Sequence, residues 1–148
     1  MSKDRFFIDT LFVQALLNKR DQYHANAVAL FPRMRQALEV FVTEIVLIEI
    51  ADSLCLLNRQ EAAHWIEAAY YSKNIKIVKL EDTPYQQAFL LYKSRSDKTW
   101  SLTDCISFEV MWEQGLTEAV TADRHFIQAG FRALLLDENI ENNQNDEA

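Results

Sequence analysis

Apolar and polar positions along this chain follow two alternating rhythms. Arg5–Phe6–Phe7–Ile8 is a short apolar run that stops at Asp9–Thr10, as in a strand buried on both faces of a parallel sheet. Leu11 to Asn18 then takes helical spacing, with Leu11, Ala15 and Leu16 on one face. Asp21 can cap a second helix that carries Ala25, Val28, Ala29 and Leu30 in register. Val40–Phe41–Val42 is a second strand, and Thr43 ends it and can cap the next helix. That helix, Ile45 to Leu57, is apolar almost all round and is expected to be central. Glu61 to Ser72 predicts a further helix and Ile75–Val78 a third strand. Thr83 before Pro84 signals a helix start, and the pattern runs to about Ser94.

After a polar loop, Asp97–Trp100, the spacing Ser101-x-x-Asp104 opens a helix that Gly115 ends. Ala119–Val120–Thr121 is a fourth strand, stopping at Asp123. Arg124 to Ala129 is a short helix ended by Gly130, and Ala133–Leu136 is a fifth strand. Strands alternating with helices imply an α/β fold: a three-layer α/β/α sandwich around a parallel sheet of about five strands. Residues 138–148 are acidic and rich in Asn and are expected to fray.

Composition narrows the class. Two Gly and two Pro in 148 residues favour helices and short connections over a turn-rich β-sandwich. Hydrophobic residues at 49% and charged residues at 25% fit a globular domain. No apolar run is long enough to span a bilayer, and the polar Met1–Arg5 start is unlike a signal peptide. Cys55 and Cys105 lie in apolar helical stretches, as reduced core residues of a cytoplasmic protein would. His24, His64 and His125 form no zinc-like spacing. The net charge of −7 excludes a bulk electrostatic grip on nucleic acid. It does not exclude an acidic site whose cations supply the positive charge.

Ligand sites in open parallel sheets form beyond the carboxyl ends of the strands. Asp9 follows the first strand and Asp123 the fourth, so the two can meet at one crevice. Asp104 stands in a first helical turn, and Glu49 lies in the apolar helix beside Ile48 and Ile50. Acids brought together repel unless a proton or a metal intervenes, and oxygen ligands suit Mg²⁺ or Mn²⁺. Structural roles compete. Asp104 can complete a capping box, Asp9 and Asp123 can cap helices, and Glu49 can pair with an Arg. His125 fits a surface or cap residue as well as a substrate contact. Trp65, Tyr70 and Tyr71 fit helix packing better than base stacking.

At these residues the chain resembles a known family. Phe7–Ile8–Asp9–Thr10, with Ala15–Asn18 and Asp21–His24, resembles the opening of PIN-domain proteins. Thr43–Glu49, Trp100–Phe108 and Thr121–Phe126 followed by Ala129–Phe131 resemble the segments carrying the family's other acids. The last two are the specific ones, and the nearest likeness is to the VapC-like toxin ribonucleases. The resemblance covers roughly 5–136 and implies a nuclease domain over 1–137, followed by the tail. It implies that Asp9, Glu49, Asp104 and Asp123 form a catalytic quartet holding Mg²⁺ or Mn²⁺ for cleavage of single-stranded RNA. It also implies Asp97 as an accessory acid, with Thr10 and Ser101 orienting ligands or the attacking water. A small antitoxin partner and a homodimer follow from the same likeness. Many members carry Asn or Ser two residues after the first acid, where this chain has Leu11. A processing nuclease without an antitoxin, and a degenerate module that binds RNA or protein without cutting, are the rival readings.

Overall fold

The computed structural model describes residues 2–137; the tail expected to fray lies outside them. The chain runs β1 (Arg5–Ile8), α1 (Thr10–Leu17), α2 (His24–Gln36), β2 (Glu39–Thr43), α3 (Glu44–Ser53), α4 (Arg59–Tyr71) and β3 (Ile75–Val78). It continues through α5 (Tyr85–Ser94), α6 (Leu102–Gln114), β4 (Glu118–Val120), α7 (Arg124–Gln128) and β5 (Arg132–Ala133). All strand pairs are parallel and the sheet order is β3-β2-β1-β4-β5. β1 is central because Phe6, Phe7 and Ile8 are all buried, so neither of its faces meets water. From β1 the chain builds outward through β2 and β3, then returns to the other side of β1 with β4. Chain direction across the sheet therefore switches between β1 and β4, and a crevice opens beyond their carboxyl ends.

One aromatic cluster locks helices that flank this crevice. Phe108 of α6 meets Trp100 and Phe126 edge-on, each at 5.0 Å between ring centroids, and Phe131 at 5.8 Å. This cluster fixes α6 against α7. The Thr43 hydroxyl caps α3 by accepting the Val46 N–H at 3.1 Å, and Gly115 ends α6 at φ +67°, a conformation costly for any residue with a Cβ.

Several expectations need correction. β5 is only Arg132–Ala133, and Leu134–Leu136 turns into a 3-10 segment. α3 stops at Ser53 rather than Leu57, and Ile48 is exposed on it, so the helix is buried on one side only. Cys55 therefore sits in the turn after α3, whereas Cys105 is buried in α6. Pro84 precedes α5 rather than opening it, and the Thr83 hydroxyl donates to the Leu80 carbonyl instead of capping. Asp21 accepts the Tyr23 N–H in the turn before α2 and does not reach the helix itself. Tyr70 and Tyr71 are exposed, leaving only Trp65 of that trio packed against the core.

Candidate metal centre

The crevice at the switch point gathers acids from three separate elements. Asp9 follows β1 and is 7% exposed, with no cationic partner. The Thr121 hydroxyl, at the end of β4, donates to Asp9 Oδ2 at 2.8 Å and accepts the Asp123 N–H at 3.0 Å. One hydroxyl thus ties the residues after the two central strands together. Burial pushes the Asp9 carboxyl up to about 7; the Thr121 hydroxyl and Thr10 backbone oppose the shift, and the charges of Asp104 and Asp123 add to it.

Asp104 arrives on the first turn of α6. The capping box read from the sequence is formed: Ser101 Oγ accepts the Asp104 N–H and Asp104 Oδ2 accepts the Ser101 N–H, both at 3.0 Å. The same Oδ2 lies 2.9 Å from His125 Nδ1. Asp123 caps α7 by accepting the His125 N–H at 2.9 Å, and its Oδ1 is 3.4 Å from His125 Nδ1. The capping roles of Asp104 and Asp123 are therefore real, whereas Asp9, at the N-cap of α1, makes no side-chain cap bond. Burial, chiefly, lifts Asp104 above the usual carboxylate range; the Ser101 N–H opposes it and the Asp123 charge adds to it.

Glu49 enters from α3, half-buried, and accepts the Thr10 hydroxyl at 2.7 Å rather than pairing with an Arg. Thr10, the residue next to Asp9, thus ties Glu49 to the end of β1. Asp97 stands apart: Arg95 grips both its oxygens at 2.9 and 3.1 Å on the surface, and this contact holds its carboxyl below the usual range. Two side chains given little weight in the sequence belong to the site. Thr121 was legible only as the end of a strand. His125 lies between Asp104 and Asp123, with Nε2 3.0 Å from Thr99 Oγ1.

Among the described residues, no Lys or Arg pairs with Asp9, Glu49, Asp104 or Asp123. Ligand atoms of Asp104, Asp123 and His125 lie within 4.8 Å of one another. Converging hard oxygen donors without a cation to neutralise them fit a divalent ion such as Mg²⁺ or Mn²⁺.

The profile of the PIN domain matches residues 6–132, which includes all of these acids. The chain belongs to the PIN-domain family. Its solved relatives include VapC20 of Mycobacterium tuberculosis, described as a toxin that cleaves the sarcin–ricin loop. That structure is 27% identical, covers 85% of this PIN chain and 95% of its own, and superposes with a TM-score of 0.75. FitAcB from Neisseria gonorrhoeae matches over 86% of this chain and 94% of its own at 15% identity and a TM-score of 0.57, a likeness of fold. No curated protein sequence matches the chain. No helix among the described residues of this PIN domain is long and apolar enough to cross a membrane.

Proposed function

We propose that this PIN-domain protein is a metal-dependent endoribonuclease acting on single-stranded RNA, and the toxin half of a toxin–antitoxin pair. The observation that carries the reading is the meeting of Asp9, Asp104 and Asp123 in one crevice without a Lys or Arg partner. Similarity to VapC20, described as a sarcin–ricin loop cleaving toxin, supports this reading. Asp104 and Asp123 would hold Mg²⁺ or Mn²⁺, with Asp9 beside them and Glu49 reaching the site through Thr10. When bound, the ion supplies Lewis-acid charge for water attack on the phosphodiester. Thr121 and the Thr10 backbone hold the Asp9 carboxyl in place, where it would orient a water. Ser101 holds Asp104 against the pull of its neighbours. Asp97, paired with Arg95, would act only from the edge of the site.

A small antitoxin would silence the enzyme by presenting an Arg or Lys to the crevice, replacing metal charge with charge-assisted hydrogen bonds. A homodimer and a cytoplasmic location complete the proposal; α5 carries exposed Tyr85, Phe89, Leu90 and Tyr92, an apolar face of the kind that associates. The test is incubation of purified protein with single-stranded RNA. Cleavage should require Mn²⁺ or Mg²⁺, stop in EDTA, and fall at least about 100-fold in Asp9→Asn, as loss of a group acting in the transition state does. Cleavage that persists in EDTA contradicts the metal mechanism. RNA binding without cleavage in either metal would leave a non-cutting module, and a cutting protein that never co-purifies with a small partner would be a processing enzyme.

A further inference from the structure

We propose that His125 is itself a metal ligand, so that the centre is a mixed nitrogen–oxygen site rather than an all-carboxylate one; this rests on the metal-dependent reading above. His125 Nδ1 lies 2.9 Å from Asp104 Oδ2 and 3.4 Å from Asp123 Oδ1. Neighbouring ligands of an octahedral ion with bonds of about 2.1 Å stand about 3 Å apart, so Nδ1 stands from each carboxylate oxygen at about that spacing, and ligand atoms of all three residues lie within 4.8 Å of one another. The ring is held in that position from both ends. Its backbone N–H is bound to Asp123 Oδ1 at 2.9 Å, and its Nε2 is 3.0 Å from Thr99 Oγ1. The Thr99 hydroxyl can either donate or accept. In the tautomer that carries its proton on Nδ1, the ring donates to Asp104 and Thr99 donates to Nε2. The tautomer with the proton on Nε2, donated to Thr99 Oγ1, would leave the Nδ1 lone pair available to an ion. A ligating His ordinarily has this kind of partner on its far nitrogen. His24, by contrast, has Nδ1 on the Ala15 carbonyl at 2.8 Å, and His64 lines a groove on α4.

An imidazole donor favours a transition-metal ion over Mg²⁺, and Mn²⁺ is the paramagnetic probe of the site. The experiment is pulsed EPR of the full chain with Mn²⁺, alongside titration of Mn²⁺ affinity. Wild type should show nitrogen hyperfine coupling to bound Mn²⁺, and a double variant His24→Gln, His64→Gln should keep it. His125→Gln should bind Mn²⁺ at least about 10-fold more weakly and without the coupling, and Thr99→Val should weaken Mn²⁺ binding by roughly 10-fold through loss of the orienting bond. Bound Mn²⁺ with no nitrogen coupling in wild type overturns the assignment of His125 and leaves the metal mechanism standing. Coupling that survives His125→Gln, or is lost in the double variant, also overturns it. A protein that binds no Mn²⁺ at all overturns both.

Discussion

A carboxylate at 7% exposure with two others beside it holds its proton more tightly than the same group in the unfolded chain. For Asp9 the native value rises from 3.8 to about 7, with burial the main cause. Between those values the native state keeps a proton that the unfolded state has released, so stability falls as pH rises. The contribution is fully favourable below about pH 4, declines through the interval, and is spent above about pH 7. At ~1.4 kcal/mol per unit it amounts to no more than about 4 kcal/mol. Denaturant unfolding of metal-free protein from pH 4 to 8 should show this decline, and Asp9→Asn should flatten it. A profile that rises across the interval in wild type would mean that Asp9 is ionised and compensated. The importance of Asp9 was legible from its place after a buried strand. The bond from Thr121 was not, because it joins residues 112 apart and exists only once β1 and β4 pair. The same applies to His125, whose contact with Asp104 spans 21 residues and depends on α6 docking against α7.

Local punctuation is legible in the sequence at α6, though not at Thr83–Pro84 or Asp21. Ser101 and Asp104 announce α6 and Gly115 ends it, because caps and left-handed glycines act within one turn. Segments whose identity depends on tertiary packing were misread. Leu134–Leu136 is equally apolar as strand or turn, and periodicity cannot separate the two over so short a run. The end of α3 was missed because Leu56 and Leu57, apolar in sequence, are exposed in a turn that no local breaker marks. The Ser101 cap links element stability to the site. Ser101→Ala should destabilise the protein by about 1 kcal/mol, and Ser101→Gly by only a few tenths relative to wild type. Chemical denaturation measures both. If the two variants match wild type, the capping box does not hold α6, and Asp104 is positioned by other contacts.

At the scale of the whole molecule, one topological event creates the site. The sheet builds to one side of β1 and then to the other, so the residues after β1 and β4 meet at the switch point. Alternating strands and helices made this arrangement predictable as an α/β sandwich, and the family profile over residues 6–132 agrees with it. The net charge of −7 gives nucleic acid no general attraction, so under the proposed function bound cations would provide the local positive potential.

The central claim is that the fold gathers mutually repelling carboxylates that a shared cation relieves. The direct test is a set of melting curves at pH 8 for wild type and Asp9→Asn, each in EDTA and in millimolar Mn²⁺. In EDTA the variant should melt higher, because it lacks a charge that is costly to bury. Mn²⁺ should raise wild type more than the variant, since a ligand that binds only the native state stabilises it in proportion to its affinity. Wild type melting above Asp9→Asn in EDTA, with both shifted equally by Mn²⁺, would contradict the account and make Asp9 a structural residue outside any metal centre.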